Sequence, residues 1–352
     1  ERFIFGKWES RTGDFIGRSL KQLNDRCLVN QEKYILENVH PVKLARGRLT
    51  LREALLNPAE RAAFTTLVYQ INWVARETRP GVAGTASLLA PKVSAPTVDD
   101  LSVLNKAAAH LRSTASQPLI IWRHDLSCIF ASASDCAGAG TAREHGAQGA
   151  WIAMIADAAL LAGQPAKASL ISWRSTRVKR VVASTLAGET LALSASLAEI
   201  EWLQVLFRDV VHSDVDHTNW AASTGPFGAI LTTGSSLNAR QDAAAVVDAK
   251  SVFDTLTRNT AGSSKQDKRT AIELSIIKES LRHSGSKVRW VPHWGMPSDQ
   301  LTKADISKAN AALEQLLRTG IFRLLPEAAE LEARKALPKP GRSKRASARE
   351  LA

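Results

Sequence analysis

With 352 residues and a formal net charge of +12, the chain is long enough for two domains, each with its own core, and suits a polyanionic partner such as nucleic acid, although a solvated basic surface has the same balance. Cys27, Cys128 and Cys136 fit no disulfide framework, and with His124 and His145 they lack the paired C-x2-C spacing of zinc sites, so a reduced intracellular chain is expected. No apolar run approaches the roughly 20 residues that span a bilayer and no signal peptide opens the chain, so no membrane partner is expected.

The chain starts at Glu1 instead of Met, which fits a fragment of a longer polyprotein or an incomplete gene model. Residues 1 to about 115 read as mostly helical after a mixed start. Phe64, Leu67, Val68, Ile71 and Val74 recur at helical spacing between Glu60 and Glu77, Pro80 closes that helix, and Thr97 caps a second one running through Leu111. Val98-Asp99-Asp100 imitates the polymerase Y-x-D-D signature. Threonine replaces the tyrosine, Pro91 and Pro96 precede it and a helix follows, so polymerase chemistry is not expected there.

From about Gln117 the pattern turns to strands, at Leu119 to Trp122, Cys128 to Ser134, Ala150 to Ile155 and Ser169 to Trp173. The run starting at Arg180 is a long helix in which Leu186, Glu189, Leu193, Leu197 and Ile200 share one face, so Glu189 points inward. An ionised carboxylate facing a core is costly unless compensated; it either snorkels at the stripe's edge or has a task. Further acids follow at element ends. Asp135 ends an apolar run, Asp248 follows Ala245 to Val247, and Asp299 opens a helix after the strand at Val288 to Pro292, with Ser298 as its cap. Taken singly, Asp135 and Asp248 read equally as turn residues and Asp299 as a first-turn acid favoured by the helix dipole. A Gly/Ser/Ala-rich stretch from about Asp214 to Ala245 is long for a connection. Beyond Glu327 the chain reads as a disordered basic tail, whose GRSKR fits solvation better than nuclear import.

These motifs resemble the ribonuclease H domain of copia-type retrotransposon polyproteins and the reverse transcriptase tail before it. The carriers are SDCA (134–137), ISWRS (171–175), STLAGETLALS (184–194), VVDAKSVFDTL (246–256) and WVPHWGMPSDQLTK (290–303), with GDFIGRSL, LVNQEKYI, QINWVARETRP and TVDDLSVLNKAAAHLR upstream. The resemblance reaches about Leu325. Gly188 stands where the family usually has alanine. It implies an α/β fold with a ribonuclease H-like mixed five-stranded sheet flanked by helices (116–325), a mostly helical thumb- or connection-like region (1–115) and the tail (326–352).

The implied activity is hydrolysis of the RNA strand of RNA/DNA hybrids, beside the polymerase portion of the same polyprotein. Two Mg2+ ions, or Mn2+, call for carboxylate oxygens. By resemblance, Asp135 bridges both ions, Glu189 and Asp248 hold the ion near the leaving oxygen, and Asp299 serves the ion that activates water. His293 is a possible auxiliary for product release, with a plain loop histidine as the other reading. Arg174, Arg177, Lys179 and Arg180, beside Trp173, are candidates for hybrid phosphates or simply a solvated charge run. The alternative function is an inactive or repurposed remnant that binds nucleic acid or a protein partner. An integrase-like enzyme fits the helix and WVP motifs less well.

Overall fold

The computed structural model describes residues 10–138, 146–211, 243–258, 268–284, 286–325 and Glu332. The Gly/Ser/Ala-rich stretch, apart from its last residues, lies outside them, as do His145 and the basic tail apart from Glu332.

An antiparallel meander opens the fold: β1 (Thr12–Phe15), β2 (Arg18–Gln22) and β3 (Arg26–Asn30). It is completed from far along the chain by β4 (Leu119–Trp122), with Arg26 opposite Trp122 and Val29 opposite Leu119. Between them lie α1 (Glu32–Asn38), α2 (Pro58–Glu77), α3 (Ala83–Leu89) and α4 (Val98–Ser113). α2 starts two residues before the expected Glu60. Asn57 accepts a hydrogen bond from the Glu60 amide, the Glu60 carboxylate accepts one from the Asn57 amide, and proline occupies the first turn. α4 carries the expected Thr97 cap, reciprocated by Asp100 and reinforced by Lys92 Nζ at 2.6 Å from Asp100. Asp99 and Asp100 thus belong to a helix start, not to a hairpin of apolar strands. Phe64, Leu67, Ile71 and Val74 pack with Leu101, Leu104 and Leu111 in one core.

The second sheet has six strands: β5 (Ile129–Ala137), β6 (Gln148–Ala156), β7 (Ala166–Arg177), β8 (Ala243–Val247), β9 (Lys287–Trp290) and β10 (Ile321–Phe322), in the order β10-β7-β6-β5-β8-β9. β5, β6 and β7 form an antiparallel run, whereas β8 is parallel to β5 and β9 parallel to β8. The five expected strands are present. The sixth, β10, is a two-residue addition to β7 that its length hid from the sequence pattern. β8 is buried on both faces, as a central parallel strand must be, so it reads as a continuous apolar run without alternation.

One face of this sheet (Ala131, Ala133, Ile152, Met154, Leu170, Val246) packs with Leu160, Met296, Leu301 and Leu316. The other is covered by α5 (Thr185–Val211), whose Leu193 and Leu197 join Ala245 and Val247, and by α7 (Lys268–Ser284) behind it; α6 (Lys250–Thr257) follows β8, and α8 (Ala312–Thr319) precedes β10. The expectation that no segment is long and apolar enough to cross a membrane is corrected: Thr185–Phe207 meets that test by length and composition. In the fold this stretch is the helix packed on β5 and β6.

Candidate metal centre

Each acid singled out in the sequence is set by a different element. Asp135 lies inside β5, opposite Ala150, rather than beyond the strand's end, because the β5–β6 ladder continues to Ala137. Glu189 sits one turn into α5, 6% exposed, on the face it shares with Leu193 and Leu197. Asp248 follows β8, where Trp290 Nε1 donates to its carbonyl at 2.8 Å. Asp299 begins a short 3-10 helix, Asp299–Thr302, and is fully buried. The expected Ser298 cap is absent: its hydroxyl makes no capping bond and is buried without a partner.

Carboxylate oxygens of Asp135, Glu189 and Asp248 all lie within 4.8 Å of one another. They meet where the parallel strands β5 and β8 end, the edge at which open α/β sheets present ligand-binding groups. Asp299 is not in that triplet but adjoins it. His293 Nδ1 is 3.1 Å from Asp248 Oδ2 and its Nε2 is 3.6 Å from Asp299 Oδ1, so the imidazole, its side chain 65% exposed, bridges the two acids from the solvent side. Lys303 Nζ lies 3.0 Å from Asp299 Oδ1.

Crowding makes ionisation costly. Burial, then the charges of Asp135 and Asp248, push the Glu189 carboxyl up to about 9, against weaker opposition from the Cys136 amide and Lys303. Asp135 is raised by burial and by Asp248 and Asp299, while the Thr302 hydroxyl, 2.7 Å from Oδ2, and Lys303 work the other way. Burial beside Glu189 and Asp135 lifts the Cys136 thiol to about 12, which makes it an inert packing group. A cluster of carboxylates in which Asp135 and Glu189 resist ionising, all offering hard oxygen donors, fits a divalent cation such as Mg2+.

The segment carrying Asp299 is held by α3, by the turn before it and by α4. Gln300 Nε2 donates to the Gly81 carbonyl at 2.9 Å, Thr85 Oγ1 donates to the Ala304 carbonyl at 2.7 Å, and Lys106 on α4 pairs with Asp305 at 2.7 Å. Ser175 Oγ donates to the Leu301 carbonyl, and Gln148 Nε2 ties Ser175 to Ser87 of α3. Sequence reasoning gave these residues no role, because their partners lie from 27 to 219 positions away. It quoted Thr302 and Lys303 within a motif without giving them a task.

Arg174 and Arg177 are exposed on β7, and Lys179 and Arg180 on the turn before α5. Arg177 folds its guanidinium over Gly146, and Arg180 reaches Glu273 at 3.4 Å. Among the described residues the carboxylate triplet is the one group of acids, histidines or cysteines close enough together to hold a metal ion; the three cysteines are free thiols. His124 is engaged elsewhere, with Nδ1 2.8 Å from Asp157 Oδ1 and Nε2 2.8 Å from Ser169 Oγ. That order mimics a nucleophilic triad, but Ser169 is fully buried and its hydroxyl already accepts from the Trp122 amide, so the trio is a strut joining β4 to β7.

No protein-family model matches the chain, and no curated protein matches it in sequence. Among solved structures it is similar to the N-terminal RNase H domain of a Mycobacterium tuberculosis protein fused to maltose-binding protein, at 13% identity over 53% of this chain and 96% of that one, with a TM-score of 0.28. It is also similar to RNase H1 from the halophilic archaeon Halobacterium salinarum (13% identity, 53% and 98% covered, TM-score 0.27). A third is LC9-RNase H1, a type 1 RNase H with the type 2 active-site motif (16% identity, 58% and 81% covered, TM-score 0.25). The class rests on the sheet itself. Three antiparallel strands followed by two parallel ones, in the order β7-β6-β5-β8-β9 with α5 across one face, make the C-terminal part a ribonuclease H-like α/β domain.

Proposed function

We propose that this chain is a metal-dependent endonuclease that hydrolyses the RNA strand of RNA/DNA hybrids, within a copia-type retrotransposon polyprotein whose reverse transcriptase tail is residues 1–115. The observation that carries this reading is the meeting of Asp135, Glu189 and Asp248 within 4.8 Å, from β5, α5 and the end of β8. A pair of divalent ions, which Asp135, Glu189 and Asp248 would hold together with Asp299, would activate water and stabilise the negative charge that develops at the cleaved phosphodiester.

The chain's own groups do the placing. Asp135, fixed by the β5–β6 ladder and the Thr302 hydroxyl, would hold metal together with Glu189 and Asp248. Asp299 would add Oδ1 to that set, while the Asn310 amide, 3.2 Å from Oδ2, fixes its carboxylate plane. His293, half in solvent above Asp248 and Asp299, is placed to move a proton or assist release of the cut strand. Arg174, Arg177, Lys179 and Arg180 supply positive charge for the hybrid backbone.

The test is incubation of the purified chain with a labelled RNA/DNA hybrid in Mg2+ or Mn2+, beside Asp135→Asn. RNA-strand cleavage by the parent alone is the expected result. Hybrid binding without cleavage, by parent and variant alike, would establish instead a remnant that binds nucleic acid.

A further inference from the structure

Four carboxylates crowd one end of the sheet, and the cation set among them is a lysine. Lys303 immediately follows the Asp299–Thr302 helix, and its ammonium lies 3.0 Å from Asp299 Oδ1. This oxygen is fully buried and receives no hydrogen bond, so the ammonium approaches at an angle that gives an ion pair without a directed bond. The same charge eases ionisation of both Asp135 and Glu189, which come from two other elements. Its side chain is 28% exposed, so a route to water is open.

A lysine is a compact, strongly hydrated charge on a flexible stem, and a pair without a directed bond leaves its ammonium able to swing toward water. We propose that Lys303 is the resident counter-ion of the metal-free site and that a divalent cation entering the carboxylate cluster displaces its ammonium from Asp299 toward solvent. This rests on the metal-dependent reading above. What changes is which cation the carboxylates face. Three consequences follow from one charge: the metal-free fold keeps its buried acids compensated, ion binding carries the cost of expelling the ammonium, and Asp299 Oδ1 becomes available only once the ion is in place.

The experiment compares the parent with Lys303→Met and Lys303→Arg, measuring Mn2+ affinity by calorimetry and melting temperature in EDTA. Lys303→Met is expected to bind Mn2+ about tenfold more tightly, because a competing charge a few ångströms away is gone, yet to melt lower than the parent in EDTA. Lys303→Arg keeps the charge and should stay near the parent in both. As a second readout, Lys303 of the parent should acetylate faster with Mn2+ than in EDTA, scored by mass spectrometry. Parental Mn2+ binding with unchanged or weaker binding by Lys303→Met overturns the displacement alone, as does metal-independent acetylation. A parent that binds no Mn2+ overturns both this inference and the metal-dependent reading.

Discussion

A side chain on Gly84 of α3 would place its Cβ 2.5 Å from the Lys303 carbonyl oxygen, with the Leu301 and Gln300 carbonyls at 2.7 and 2.8 Å. α3 therefore runs directly against the backbone that carries Asp299, closer than any residue with a side chain allows. Gly84→Ala must push that backbone away, since three carbonyls leave no flexible side chain to yield. We expect a loss of about 1–3 kcal/mol in stability by urea unfolding. Where the variant remains folded, hybrid cleavage should fall more than hybrid binding, because Asp299 is displaced while the basic surface is untouched.

Little of that contact could be read from the sequence. Local signals were legible: the Thr97 cap, the apolar spacing of α2, the inward face of α5 at Glu189 and the apolar run of β8. The three acids that meet were legible as a set because a known family's motifs are spaced in the same way. What escaped depends on partners far along the chain. The Gly84 approach, the Thr85 bond to Ala304 and the His124–Asp157–Ser169 strut join residues whose neighbours in sequence give no hint of them. The strand expected to end at Ser134 runs three residues further, to Ala137, because pairing with β6 keeps Asp135 in the sheet.

The raised Glu189 carboxyl makes metal-free stability depend on pH. Its ordinary value is 4.5 and its folded value about 9, so between these pH values the unfolded chain has released a proton that the folded chain retains. The contribution is whole below about 4.5, declines as pH rises toward 9 and is then spent. Asp135, also raised, adds in the same direction. In EDTA, the urea midpoint of the parent should fall between pH 5 and pH 8.5, and Glu189→Gln should flatten that decline. An equal slope in both proteins would show that Glu189 is not the group responsible.

Divalent ions should have the opposite pH dependence. Binding requires the carboxylates to be ionised, so the melting-temperature rise caused by Mg2+ or Mn2+ should be small at pH 5.5 and larger at pH 8. Removing the metal with EDTA at pH 8 should reverse it, and Asp135→Asn should abolish most of it at both pH values. Scanning calorimetry at fixed ionic strength separates this from general salt effects.

Ser169 is a strut and not a nucleophile. Its hydroxyl takes the Trp122 amide at 2.8 Å and meets His124 Nε2 at 2.8 Å, so Ser169→Ala strands two buried polar groups. A cost of about 1–3 kcal/mol is expected. With the hydroxyl shut away from solvent, parent and variant should be equally inert toward activated esters. Esterase activity that disappears in Ser169→Ala would contradict the burial.

The basic surface before α5 is best tested through its two less committed members. Arg177 is packed over Gly146 and Arg180 reaches Glu273, so removing either takes away a contact as well as the charge. Arg174 and Lys179 are exposed, one on β7 and the other on the turn after it. If both contact phosphates, each releases about one counterion on binding, and the double variant Arg174→Ala/Lys179→Ala should lower the slope of log affinity against log salt by about 1 to 2. Cleavage at saturating hybrid should barely change, since neither residue reaches the carboxylates, whereas KM should rise. Fluorescence anisotropy with a labelled hybrid at several KCl concentrations gives the slope directly. An unchanged slope would place the hybrid on another face and leave these residues as solvated charge.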